Sequence, residues 1–386
     1  MKTVILWALV FLGALVLMFL IFFASVIEKR LNRVLPRKAF QPTEKAKNLH
    51  QKIFIADLHC DALLWRRNLL RKHTYGHVDI PRLIEANVGL QAFTIVSKVP
   101  FGLNIERNEG KRDLITLLAI SQRWPVRTWW SLKQRALYQA QKLQRFAERS
   151  NGHFSLIRSR QDLQHYLEQR KQNPQITAGF LGVEGAQVLE GNLDNIKVLY
   201  DAGIRMMAPT HFFDNRIGGS AHGVKKGGLT ELGREMIREM EQRKMIVDLA
   251  HASEQTITDV LNIATRPLLV SHTGVKATCD NPRNLSDEQI KAIAKTGGLI
   301  GIGFWQTASC GTDGRAVARA MRHVAELVGI EHLALGSDFD GAVPEPFDVT
   351  GLVEITEALF DEGFAEQDIS LIMGGNVLHF LLENFP

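Results

Sequence analysis

The sequence predicts an α/β chain: a (β/α)8 TIM-like barrel with a helical insertion, preceded by an N-terminal transmembrane helix. Three observations carry this reading. Eight short apolar runs that read as strands alternate with amphipathic helical stretches from residue 53 to residue 384. Six of the eight runs end on residues that can ligate or titrate: His59 with Asp61, Glu184, His211, His251, His272 and Asp338. A parallel barrel brings the C-terminal ends of its strands to one face, where its chemistry is placed. Ahead of them, Thr3 to Ile27 form 25 consecutive uncharged and nearly all apolar residues. A doubly wound open sheet also alternates strands with helices, but it offers one crevice and would not gather six strand ends.

The apolar N-terminal run is long enough for a helix to cross the roughly 30 Å hydrocarbon core with room to tilt. A cleaved signal peptide would have a shorter run and a small-x-small cleavage site. Phe22-Phe23-Ala24-Ser25 is a poor match, so an uncleaved anchor in the cell membrane is expected. Lys29, Arg30, Arg33, Arg37 and Lys38 follow the span, which would favour a cytoplasmic domain. That bias is least dependable ahead of a large domain, and the side is left open. The expected layout is an anchor with its tail over residues 1–28, a basic linker over 29–47 and the barrel over 48–386. The linker, broken by Pro36 and Pro42, reads equally as a solvated stalk or as a segment resting on anionic headgroups.

Strand one is expected at Ile53–Asp57, in the stretch IFIADLHCD, followed by a turn element around Asp79-Ile80-Pro81 and strand two at Val88–Val96. Residues 103–172 break the rhythm with Arg-, Gln- and Leu-rich helical patterns, Trp124, Trp129 and Trp130, and no evident strand. Their basic and aromatic content imitates a nucleic-acid surface, but an inserted helical layer is the plainer reading. Strands three to six follow at Ile176–Val183, Ile204–Pro209, Met245–Leu249 and Pro267–Ser271. Helices are expected between them at about 192–202, 229–243 and 254–263. Ser286 with Gln289 three residues on forms a capping-box pattern for the next helix. Strands at Gly298–Phe304 and His332–Ser337 flank a helix at Gly314–Val328, and helices near 350–362 and 366–384 end the chain.

Hydrophobic content of 45% with 23% charged residues is that of a folded globular chain. The formal charge is +5, but residues 1–50 alone hold eight Lys/Arg against two Asp/Glu, so the body is near neutral. It lacks the basic excess that a nucleic-acid-binding domain carries. Cys60, Cys279 and Cys310 show no CxxC or scaffold spacing, and they read as thiols, which leans toward a reducing compartment.

Successive side chains of a strand point to opposite faces, so His59 and Asp61 emerge on the same side. Singly, each candidate has an ordinary structural role open to it: Asp248 pairing with a neighbouring strand, or Glu184 satisfied by the backbone of GVEG. Together they are costly to bury at one barrel mouth unless paired or bound to metal. Imidazole and carboxylate donors suit zinc and neighbouring divalent ions. Two ions 3.5–4 Å apart need a bridging carboxylate. His59 and Asp61 could serve one ion and His251 and His272 the other, with Glu184 spanning both. A hydroxide held between them would be a nucleophile at neutral pH.

DLHCD (57–61), GHVDIPRL (76–83), GVEG (182–185), PTHF (209–212), DLAHAS (248–253), SHTGV (271–275), NPRNLSD (281–287) and GSDFDG (336–341) together resemble the membrane dipeptidase family of binuclear zinc peptidases. The resemblance runs from about residue 48 to the C-terminus and leaves the anchor outside. It implies two zinc ions on His59, Asp61, Glu184, His251 and His272. It further implies that His211 contacts substrate or its developing oxyanion, that Arg283 holds a substrate oxygen or carboxylate, and that Asp338 carries the proton from the nucleophilic water to the leaving amine. Asn281 departs from the His common at that position in the family; it is not a ligand position.

The expected activity is hydrolysis of the amide bond of dipeptides. A related amidohydrolase acting on N-acyl amino acids or lactams is the alternative, and a non-catalytic membrane binding protein on a degenerate barrel is the weakest reading, since the ligand positions are filled. Expected partners are a dipeptide, the lipid bilayer through the N-terminal helix and, as an open option, a second copy of the chain. Nucleic acid is not among them.

Overall fold

The computed structural model describes residues 1–36 and 40–386. Arg37 and Lys38 of the expected linker therefore lie outside the described residues. Nine parallel strands form one sheet: β1 (Ile55–Asp57), β2 (Val88–Val96), β3 (Phe154–Leu156), β4 (Thr177–Glu184), β5 (Ile204–Met207), β6 (Ile246–Val247), β7 (Leu269–Thr273), β8 (Leu299–Ile302) and β9 (Leu333–Leu335). Their order is β6-β5-β4-β2-β1-β9-β8-β7, with β3 beside β4. A single parallel bridge, Asp248 to Leu269, brings the two ends together. There Leu249 N–H donates to Leu269 O at 2.7 Å, and Ser271 N–H donates to the Asp248 carboxylate at 2.9 Å. Asp248 thus replaces part of a ladder in the closing seam, the structural role open to it.

The eight expected strands are all present: β2 has the expected bounds, β4 and β7 are shifted toward the C-terminus by one and two residues, and the other five are shorter than their apolar runs. The exception to the reading of residues 103–172 is β3, which pairs Phe154 with Thr177. Three residues show no periodicity of their own; this strand exists only because β4 offers an edge. The Asp79-Ile80-Pro81 turn is in fact the start of a helix, Ile80–Glu85, with Asp79 as its N-cap and Pro81 in its first turn. The capping box of Ser286 and Gln289 is present, and Gly314–Val328 is a helix.

Alternation along the strands sorts their side chains into two cores. Ala56, Leu90, Ala92, Ala178, Phe180, Met206, Ile246, Leu269, Leu299 and Ala334 fill the barrel interior, where Val377, Phe380 and Leu381 of the C-terminal helix join them. Ile55, Phe93, Ile95, Leu181, Val183, Val270 and Ile300 face outward against the helices. Full burial of each large apolar side chain contributes roughly 1.5–3 kcal/mol. The interior is therefore packed, and the open face lies at the C-terminal strand ends.

The insertion holds helices Leu114–Ser121, Leu132–Glu148 and Arg160–Gln172. Arg135 spends its donors internally, on Asp113, Thr128 O and Ser97 O. Trp124 is buried in an apolar cluster with Ile115, Leu118 and Ala119, against which Phe23 and Ile27 of the N-terminal helix pack. That helix runs Lys2–Leu31, and its Thr3–Leu31 stretch is long and apolar enough to cross a membrane, with a mean hydropathy of 3.0 in its most apolar window.

The thiol reading fails for two of the three cysteines. Cys279 and Cys310 form a disulfide, and Cys60 is free and buried. The two partners sit in the loops after β7 and β8, neighbours in the barrel but 31 residues apart in sequence. Adjacency of two loops at a barrel mouth leaves no local spacing signal. The lean toward a reducing compartment, which rested on free thiols, goes with it, because disulfides persist in oxidising surroundings.

Candidate metal centre

Side chains at or a few residues past the C-terminal ends of six strands face one another. His59 and Asp61 follow β1, whose pairing continues through a bridge from Cys60 to Phe339. Their Nε2 and Oδ1 atoms are 3.7 Å apart. Glu184, the last residue of β4, is fully surrounded. Its Oε1 lies 3.3 Å from His59 Nε2, and its Oε2 lies 3.1 Å from both His211 Nε2 and His251 Nε2. His272, within β7, places Nε2 3.0 Å from His251 Nε2. Asp338 Oδ1 lies 3.9 Å from His59 Nε2. All seven sequence-predicted residues from strand ends thus meet at one site.

Backbone conformation is bent to achieve this. His251 and Asp338 both adopt left-handed φ, 63° and 66°. Such strain costs on the order of 1 kcal/mol or more per residue and clusters at functional sites. Gly341 is required for a different reason. A Cβ there would stand 1.9 Å from Asp338 Oδ1, so only glycine leaves the carboxylate its place.

The hydrogen bonds fix which nitrogens carry lone pairs. His222 Nδ1 lies 2.8 Å from Ile105 O, a carbonyl that can only accept. Its Nε2 is then an acceptor, which takes the Nδ1 proton of His251 at 3.1 Å. His251 Nε2 is left bare, facing a carboxylate oxygen and a second imidazole. Ser271 Oγ stands between His59 Nδ1 (3.0 Å) and His272 Nδ1 (2.9 Å), and its oxygen can accept a hydrogen bond from each ring. Burial, then Arg283 and neighbouring histidines, hold His251 and His272 well below the usual imidazole pKa, as neutral imidazoles. Burial opposes charge on His59 too, but Glu184, Asp61 and Asp338 outweigh it and raise its pKa to about 10.

Converging imidazole nitrogens and carboxylates are what a bound cation relieves. Glu184 Oε1 and His211 Nδ1 are buried with no hydrogen-bond partner. Among the described residues, three groups have possible donor atoms within 4.8 Å of one another: His59, Glu184 and His272; Glu184, His211 and His251; His59, Asp61 and Asp338. Their all-N/O chemistry fits a divalent metal.

Around them lies a cavity of about 290 Å³ with an apolar wall of Leu64, Val96, Val99, Leu103 and Phe212. Arg283 also lines it, buried, with Nη2 donating to His272 O at 2.6 Å. Burial lowers its pKa to about 10, opposed by Asp338, Asp248 and Glu184, so it remains a cation.

Sequence reasoning passed over His222 and Asp57. His222 sits in a loop whose local sequence shows no periodicity, and only its pairing with His251 reveals a role. Asp57 lies in the quoted DLHCD stretch, yet it accepts from Ser337 N–H at 2.8 Å and Ser337 Oγ at 2.6 Å, tying β1 to the loop after β9. A carboxylate beside two ligand positions could have been suspected as such a strut.

Comparison with known proteins agrees with this geometry. The sequence model of the membrane dipeptidase family, peptidase family M19, matches residues 43–384. An uncharacterised protein in the pqqA 5′ region of Klebsiella pneumoniae is 30% identical over 62% of this chain and 92% of its own. The dipeptidase aclJ of Aspergillus oryzae is 25% identical over 85% of this chain and 77% of its own. Among solved structures, a metallopeptidase described as dipeptidase AC of family M19 superposes with a TM-score of 0.68 at 25% identity, covering 86% of this chain and 98% of that one. Spanning nearly the whole barrel, the family match establishes that the chain belongs to the membrane dipeptidase family, peptidase family M19, and is a metal-dependent dipeptidase.

Proposed function

We propose that the protein hydrolyses the amide bond of dipeptides at a two-zinc centre held at a membrane by its N-terminal helix. The observation that carries this reading is the setting of Glu184, with one oxygen toward His59 and the other toward His251. His59 and Asp61 would hold one ion, His251 and His272 the other, and Glu184 both. When bound, the ions would supply Lewis acidity and lower the pKa of a water to about 7.

The chain's own residues divide the remaining work. Asp338 stands at the edge of the cluster with its pKa raised to about 7 by burial and by Glu184, against the pull of His59 and Arg283. A carboxyl there can take a proton from the nucleophile and return it to the leaving amine. His211, whose Nδ1 is unpaired, contacts substrate at the developing oxyanion. Arg283 holds the substrate's free carboxylate, and its charge is retained for that purpose.

The apolar wall of the cavity supports a second reading, hydrolysis of N-acyl amino acids, which share the carboxylate but bring a hydrocarbon chain. A screen of L,L and L,D dipeptides, dipeptide amides, N-acyl amino acids and a β-lactam separates the two. The expected result is hydrolysis of dipeptides with a free carboxylate. Arg283→Ala should then raise KM about 10–100-fold, the equivalent of losing one charge-assisted hydrogen bond, and erase discrimination against dipeptide amides. Turnover of N-acyl amino acids alone would transfer the assignment to the second reading. The anchor is checked by fractionation: the protein should stay with membranes in high salt and leave them in detergent.

A further inference from the structure

The N-terminal helix does not end where its apolar run ends. Ala24, Glu28 and Asn32, four residues apart and therefore on one face, are buried at 3%, 1% and 1% exposure, while most of the helix before them is exposed. The Glu28 carboxylate accepts from Arg67 Nε, and Arg67 Nη2 donates to Asp340. Asp340 in turn accepts from His77 N–H (2.8 Å) and Val78 N–H (3.1 Å). Asn32 Oδ1 accepts from Ala342 N–H at 2.8 Å, and Leu35 N–H donates to Glu345 O at 2.8 Å.

All these bonds converge on the loop that begins at Asp338. That loop is unusual: Asp338, Asp340 and Ala342 have φ of 66°, 61° and 62°. Three left-handed non-glycine residues in five persist only where the surroundings over-determine the backbone. The surroundings here are Arg67, the 77–78 backbone and the end of the N-terminal helix. Ala342 and Val343 of the same loop also line the cavity.

We propose that Glu28 and Asn32 are positioning residues for the Asp338–Ala342 loop, so that the end of the membrane helix is a working part of the active site and not only a tether. This rests on Asp338 carrying the proton. The bonds are specific rather than general packing: Glu28 Oε2 and Asn32 Nδ2 are buried with no hydrogen-bond partner, so the bonds of Glu28 Oε1 to Arg67 and of Asn32 Oδ1 to Ala342 are what hold these side chains in place.

The test uses full-length protein in lipid nanodiscs, on whichever amide substrate the wild type hydrolyses, so that failure of the dipeptide reading remains a separate result. Glu28→Ala and Asn32→Ala should each lower kcat roughly tenfold, short of the ~10²-fold that a 1 Å misplacement can cost. KM should stay within about twofold, with metal content unchanged. Glu28→Gln, which keeps the acceptor for Arg67, should recover most of the loss. In an Asp338→Asn background Asn32→Ala should change kcat less than about twofold, because the residue it positions is already disabled. Wild-type kcat in both alanine variants would overturn the proposal. So would an equal fall of Asn32→Ala in the Asp338→Asn background, or a loss that follows metal content or unfolding, since either marks a purely structural contact.

Discussion

Asp338→Asn should lower kcat for dipeptide hydrolysis by about 10²–10⁴, the range for an acid/base group, while the protein keeps its full metal content. In barrier terms this is roughly 3–5 kcal/mol at 1.36 kcal/mol per tenfold. The substitution isolates chemistry from folding for three reasons. Asn is the same size, so the space that Gly341 leaves for the side chain still suffices. Asn is also among the few residues that visit the left-handed region at low cost, which the φ of 66° demands. Finally, it removes a carboxyl that burial already disfavours in its charged form, so stability should hold or rise. Metal content by elemental analysis, read beside kcat, checks it. Full activity would remove Asp338 from the mechanism, and a loss of metal would make it a ligand, as its place in the set with His59 and Asp61 also permits.

What the sequence conveyed, and what it did not, follows from the range of the interactions involved. Strand β2 was legible to the residue because nine consecutive residues are buried on both faces and read as one apolar run. Helix Glu254–Ile263 was equally legible, with Ser253 marking its start. β6, a two-residue strand, was legible only as a longer apolar run, since its pairing is limited by the seam where Asp248 stands in for the ladder. The clustering of the candidate residues was visible because barrel topology converts a one-dimensional regularity, a ligand-type residue at the end of six strands, into a three-dimensional cluster. His222 broke that regularity. It lies in a loop, and its bond to His251 depends on where the β5 loop folds back. The disulfide was invisible for the same reason, as was the docking of Asn32 on a loop 310 residues away and of Glu28 on the same loop through Arg67.

Metal content should fall furthest when Glu184 is replaced. The full-length protein, solubilised in detergent, is expected to hold about two zinc-like ions per chain, and one or none would sink the two-metal reading. Glu184→Gln should cost both sites, because the two oxygens face different ligand sets: Oε1 toward His59, Oε2 toward His211 and His251. Glutamine keeps one oxygen and turns an NH₂ toward lone pairs on the other side, losing the charge that two dications require. Asp61→Asn should spare the His251 side, since Asp61 approaches His59 and accepts from Thr94 Oγ1 at 2.6 Å. His222→Ala provides the graded comparison. It removes the acceptor that fixes the His251 proton on Nδ1, and such outer partners are worth about 10–100-fold in metal affinity. The ordering is therefore definite: loss at both sites for Glu184→Gln, at one for Asp61→Asn, and a weakened single site for His222→Ala. Elemental analysis after dialysis against graded chelator reads all three. Were Glu184→Gln to retain two ions, the carboxylate would not be a bridge, and its burial among His59, His211 and His251 would have to be explained by hydrogen bonding alone.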